Sequence, residues 1–171
     1  MVSPAAPRSM AGAARIRAAT LADLDAVEAL ETTVFHSDQL SRRSLRYYIG
    51  TPTARFLVLE ATGAIVGDAI LAFRRGSRLA RLYSIAIHPD QAGRGHGGRL
   101  LAACEAAAAE HSRTIMRLEV RADNQPAIQL YRKAGYHEFG HYPDYYEDGT
   151  AALRFEKEIA PPGGRSSERT P

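Results

Sequence analysis

The chain has 171 residues, 45% of them apolar and 24% charged, with a net charge of +3 from 22 basic and 19 acidic side chains. That length builds one domain with a core of its own but not two; so mild a charge gives no electrostatic case for nucleic acid, and no stretch approaches the roughly 20 apolar residues of a membrane span. The single cysteine, Cys104, has no internal disulfide partner, which points to a reducing, cytoplasmic setting.

Residues 1–13 and 160–171 are rich in Pro, Gly, Ala, Ser and Arg and read as a disordered leader and tail, leaving 14–159 as the domain. The acid-poor start also has the composition of an organelle transit peptide, but Pro4, Pro7 and Gly12 interrupt the amphipathic helix such a peptide needs. A short strand is expected at Arg15–Ala18. Thr20 then caps a helix through about Val34, with Asp23 at the capping-box position and Leu24, Val27 and Leu30 on one face. Ser41 caps a second short helix that Gly50 stops. Phe56–Glu60 and Ala64–Arg74 flank a Thr62-Gly63 turn as a hairpin, and a turn around Gly76 leads into Leu79–Ile87, completing an antiparallel meander.

A glycine-rich loop, Pro89–Gly98, then opens a long helix over about Gly97–Glu110. A strand follows at Thr114–Val120. Asn124 caps the next helix, with Pro126 in its first turn and Gly135 at its end. Two strands near Tyr136–Tyr142 and Ala151–Glu158 close the domain. The strands Leu79–Ile87 and Thr114–Val120 are joined by a helix and should run parallel. The order βααβββαβαββ therefore predicts an α/β fold: a mixed sheet with an antiparallel meander, a parallel central strand pair and helices on both faces.

The loop places Gly93, Gly95, Gly97 and Gly98 between a strand and a helix, with Arg94 and His96 among them and Arg99 just after. Glycines there let backbone N–H groups converge on an anion, and the helix N-terminus adds partial positive charge. A phosphate or pyrophosphate is the natural guest. The Walker A pattern fails, because no Lys-Ser or Lys-Thr follows the glycines. The dinucleotide pattern G-x-G-x-x-G does match at Gly93, Gly95 and Gly98, but five residues separate the strand from it and no further βαβ units follow.

Three segments carry a resemblance to a known family: LYSIAIHPDQAGRGHGGRLL (Leu82–Leu101), LEVRADNQPAIQLYRKAGY (Leu118–Tyr136) and YYEDGTAALRFEK (Tyr145–Lys157). Together they resemble the core of the GNAT superfamily of N-acetyltransferases, and most of all the bacterial ribosomal-protein-alanine N-acetyltransferases, the RimI-like group. One departure is plain. The family loop begins with Gln or Arg, separated by two residues from its first aligned glycine; aligned on Gly95 and Gly97, that position is Ala92, and Gln91 stands one residue early.

The resemblance implies transfer of an acetyl group from acetyl-CoA to a primary amine by direct attack in a ternary complex. Cofactor contacts then fall on the backbone of Ile85, Ala86 and Ile87, on the loop Gly93, Arg94, Gly95, His96, Gly97 and Gly98, and on Asn124 and Tyr131. It assigns Glu119 as the base and Tyr131 as the acid that protonates the departing sulfur. In the strand Thr114–Val120, alternation sets Ile115, Arg117 and Glu119 opposite Met116, Leu118 and Val120, so Glu119 lies on a partly polar face. The competing reading is an ordinary surface Glu119 paired with Arg117 and Arg121; with arginines so near, it serves directly or through a water. Tyr131 can equally be a packing residue with a solvated hydroxyl, and Asn124 a cap alone.

Phe35, Tyr145 and Tyr146 are candidate acceptor contacts, from the loops at Phe35–Gln39 and Tyr142–Asp148. No Cys or His cluster has metal-ligand spacing, so no metal is expected. The histidines His88, His96, His111, His137 and His141 are isolated and read as surface residues, and Cys104 as an inert core residue. The favoured acceptor is a protein or peptide N-terminus. A small amine is the alternative, and an acyl-CoA-binding module without turnover is the rival class. A monomer or weak homodimer is expected.

Overall fold

A computed structural model describes residues 14–160. The expected leader and tail lie outside the described residues, except for Ala160. Seven strands form one sheet in the order β1-β2-β3-β4-β5-β7-β6. They are β1 (Arg15–Ala18), β2 (Ala54–Ala61), β3 (Ala64–Phe73), β4 (Leu79–Ile87), β5 (Ile115–Arg121), β6 (His137–Tyr142) and β7 (Ala152–Glu158). The helices are α1 (Leu24–Val34), α2 (Arg42–Gly50), α3 (His96–Glu110) and α4 (Gln125–Lys133). No described helix is long and apolar enough to cross a membrane.

Local chemistry explains the element ends. Asp23 Oδ2 accepts the Thr20 N–H at 2.7 Å, the expected capping contact, though it closes a 3-10 turn at Leu21–Asp23 that precedes α1. Ser41 Oγ accepts the Ser44 N–H at the start of α2. The β2–β3 hairpin turns through Thr62 and Gly63 with φ of 53° and 77°, the left-handed pair that a two-residue hairpin loop requires.

The sheet separates two cores. On one side α1 and α2 cover Phe56, Val58 and Ile70 with Leu24, Val27 and Leu45. On the other, α3 and α4 bury Leu100, Leu101, Cys104, Ile128 and Tyr131 against Leu71, Leu82, Met116, Leu118 and Phe155. Each fully buried Leu or Phe contributes about 1.5–3 kcal/mol.

Two irregularities matter for function. In the β3–β4 ladder Ile70 pairs with Ser84 and Leu71 with Leu82, so Tyr83 is an extra residue in β4. Before this bulge, Ala80 and Leu82 belong to the α3/α4 core; after it, Ile85 and Ile87 pack there instead. The parallel β4–β5 ladder is also short. Only Leu79–Arg81 pair with Ile115–Arg117, although β4 runs on to Ile87 and β5 to Arg121. Beyond Arg81 the strands part, and the facing backbone groups lose their ladder partners.

Candidate active site

The parting of β4 and β5 opens a cavity of about 590 Å³, well within the range of small-molecule sites. Leu82 through Ile87 form one wall and Glu119 through Arg121 the other. Asn124, the N-cap of α4, and Ala127 and Tyr131 within it close one side; Phe35, Asp38, Tyr145 and Tyr146 close the other. The cavity thus brings together Ile85, Ala86, Ile87, Glu119, Asn124, Tyr131, Phe35, Tyr145 and Tyr146 from five separate segments. Asn124 is a helix cap, its Oδ1 accepting the Ala127 N–H at 3.3 Å, and it also lines the cavity.

Gly93, Arg94, Gly95, His96, Gly97 and Gly98 lie outside that lining, at the N-terminus of α3. Gly93 and Gly95 have φ of 75° and 79°, which a residue with a Cβ adopts only under strain. The first α3 amide to find a helical acceptor is that of Arg99, on the Gly95 carbonyl at 3.2 Å. The amides of His96, Gly97 and Gly98 are therefore the orphan donors of the helix. A Cβ built on Gly97 would stand 3.3 Å from Leu130 Cδ2, so glycine there lets α4 approach α3 closely.

Glu119 faces away from the α3/α4 core, as alternation predicts, with a side chain only 11% exposed. Its cationic neighbours differ from the expected ones. Arg81 Nη2 lies 3.0 Å from Oε2 and Arg154 Nε 3.8 Å from Oε1. Arg154 stands directly opposite Glu119 in the β5–β7 register. Arg117 instead binds Glu156 at 2.8 Å, and Arg121 reaches Asp123, Asp148 and Asp38. The competing reading of Glu119 named the wrong arginines because it counted sequence neighbours, whereas the sheet supplies partners from β4 and β7.

Tyr131 approaches from the other side of the sheet. It is 5% exposed, packed edge-on to Tyr136 at 5.9 Å and tilted against Phe155 at 6.3 Å. Its ring is buried in the core while the residue also borders the cavity. Burial pushes the phenol well above its ordinary range, so it holds its proton at neutral pH. Two further corrections concern the histidines. His96 is not on the surface but 8% exposed, with Nδ1 unpartnered among the described residues. His111 is half-buried, stacked on Phe73 at 4.6 Å. Cys104 is fully buried, as expected, and burial raises its thiol to about 12.

The model of the acetyltransferase (GNAT) family matches residues 21–136. The chain belongs to the GNAT family. This GNAT protein is 30% identical over 135 residues to a Bacillus subtilis protein provisionally named as a ribosomal protein bS18-alanine N-acetyltransferase, covering 79% of the present chain and 88% of the relative. Its fold superposes on the ribosomal-protein-S18-alanine N-acetyltransferase of Escherichia coli with a TM-score of 0.77 and 25% identity, over 92% of this chain and 99% of that one. The yncA protein of Salmonella typhimurium, solved with acetyl-CoA, shares the fold alone: TM-score 0.75, 18% identity, 90% and 98% coverage.

The protein is thus an N-acetyltransferase that uses acetyl-CoA and an amine acceptor. The geometry fits that donor. Orphan amides at a helix N-terminus suit a diphosphate, an unpaired strand edge suits the amides of a pantetheine arm, and the cavity between them has room for a thioester. Sequence reasoning passed over Arg81, Arg154, Glu31 and Asp68. A signal existed only for Asp68, the one charged residue in the apolar run AIVGDAILAF.

Proposed function

We propose that this enzyme acetylates the α-amino group at the N-terminus of a protein or peptide in the cytoplasm. The observation that carries the reading is that Glu119 and Tyr131 enter one cavity from opposite faces of the sheet, through the gap where β4 and β5 part. Similarity to ribosomal-protein-alanine acetyltransferases over most of both chains favours a protein terminus over a free small amine.

In this reading the diphosphate of the donor rests on the amides at the start of α3, and the edge of β4 from Ile85 to Ile87 binds the arm. An α-amine with a pKa near ~8 is largely protonated at neutral pH and must lose a proton to attack. Glu119 takes that proton, directly on Oε1 or through a water, while Arg81 holds its Oε2. The amine nitrogen then bonds to the thioester carbonyl carbon, and the C–S bond breaks. Tyr131 donates its proton to the departing sulfur; the nitrogen sheds its second proton as the amide forms, which restores Tyr131, and the first proton passes from Glu119 to solvent. Phe35, Tyr145 and Tyr146 grip the acceptor chain.

A thermal-shift comparison of acetyl-CoA, CoA and NAD, followed by short alanine-initiated peptides set against free amines, tests the proposal. Stabilisation by CoA species with turnover on peptides is expected. Preference for NAD, or turnover on free amines alone, refutes it.

A further inference from the structure

Asp68 stands in the middle of β3 at 1% exposure, and its Oδ2 has no hydrogen-bond partner among the described residues. An unpartnered buried acid is costly and requires an explanation. In its cross-sheet row it is flanked by Val58 of β2 and Ala86 of β4, both apolar. Arg17 of β1 is the next residue beyond Val58, and it is committed to Asp23 and Glu60. The charged group that faces Asp68 from the helix layer is another carboxylate, Glu31 of α1, itself 3% exposed.

Glu31 is tied to the acceptor side of the site. Its Oε1 accepts the Leu40 N–H at 2.7 Å, which anchors the loop that carries Phe35 and Asp38. Glu31 also lines the cavity, as does Ala86, the strand neighbour of Asp68. Glu31 thus stands at the cavity wall, and the Asp68 carboxyl, which feels its charge, is buried away from that wall. One is bound only by a backbone amide and the other by nothing described. Two buried carboxylates without a cationic partner among the described residues are left with two ways to shed the cost: hold a proton, or take a cation from the cavity that Glu31 lines.

We infer that Glu31, backed by Asp68, forms a subsite for a second cationic group on the acceptor, such as a Lys or Arg side chain next to the terminal residue. This deepens the peptide reading above and rests on it for the identity of the acceptor. Glu31 touches the cation; Asp68 is a positioning residue that strengthens the field behind it. Burial, with the Glu31 charge added, raises the Asp68 carboxyl to about 8, so near neutrality Asp68 holds a proton. A bound cation favours release of that proton. Discrimination for basic acceptors consequently grows as pH rises through about 8.

The test compares kcat/KM for two alanine-initiated peptides, one with lysine and one with leucine at the second position, between pH 6.5 and 9. Taking their ratio cancels the titration of the shared α-amine and any loss of active enzyme. A preference for the lysine peptide of roughly tenfold at high pH is expected, the size of one charge-assisted contact. Asp68→Asn should flatten the pH dependence of the ratio, and Glu31→Gln should bring the ratio near one at every pH. A wild-type ratio near one, or a ratio that neither variant changes, overturns the subsite. A parallel comparison of a short alkyl diamine with a monoamine separates the two hypotheses. If peptides are inert while the diamine is preferred, the peptide reading fails and the subsite stands.

Discussion

Replacing Tyr131 by Phe removes one oxygen from a side chain whose packing is already complete. The ring contacts to Tyr136 and Phe155 and the burial in the α3/α4 core belong to the aromatic ring, so Phe keeps them. The fold should lose no more than ~1 kcal/mol. The transfer step should lose far more. A positioned general acid contributes about 10²- to 10⁴-fold, which is ~3–5 kcal/mol of barrier. Steady-state release of CoA thiol measures kcat, calorimetry with CoA measures donor affinity, and urea unfolding measures stability. The expected pattern is a large fall in kcat with affinity and unfolding midpoint nearly unchanged. Because burial holds the hydroxyl above its ordinary range, Tyr131 should add no descending limb to the wild-type pH profile below about pH 10. A variant with kcat within about twofold of wild type refutes the assignment, since no positioned acid contributes so little.

Gly95→Val forces a Cβ onto a backbone with φ of 79°, so stability should drop by about 1–2 kcal/mol and CoA should bind more weakly, both readable by thermal shift with and without ligand. Arg121→Ala unties the loop bearing Asp38 from that bearing Asp148 and removes the guanidinium 4.7 Å from the Tyr146 ring. Acceptor KM should rise roughly three- to tenfold, on the order of 1 kcal/mol, with donor affinity unchanged. The hydrogen bond from Arg17 holds Asp23 at about 2, below its ordinary value. A depressed carboxyl stabilises the fold above its unfolded pKa of ~4 and loses that contribution as pH falls towards about 2. Denaturant midpoints should fall over that window in wild type and less steeply in Asp23→Asn.

The elements were legible because period and punctuation agree. Thr62-Gly63, Gly76 and Gly135 each mark a turn and each glycine adopts positive φ, while the alternation from Met116 to Val120 put Glu119 on the correct face. The long helix begins at His96 rather than Gly97, since Gly95 already serves as its N-cap. What the chain did not disclose was mostly pairing between distant strands. Arg154 meets Glu119 because β7 inserts between β5 and β6, and no local pattern encodes that insertion. Nor does periodicity reveal where two parallel strands stop pairing, since a residue on a parting edge keeps the same alternation as one in a ladder. His96 misled for another reason: a lone polar side chain in a glycine-rich run reads as solvated, yet the helix it opens turns it inward.

The extra residue at Tyr83 shifts the count along β4 by one. Odd and even positions exchange allegiance halfway along the strand, so a graft of this segment into a regular strand would send Ile85 and Ile87 to the wrong side. A single deletion between Arg81 and Ile85 carries a related hazard: it would restore ordinary parity while carrying the residues beyond it out of step with the donor groove. The groove and the irregular spacing would then be inherited together or lost together, which makes residue number in this stretch a stricter constraint than residue type.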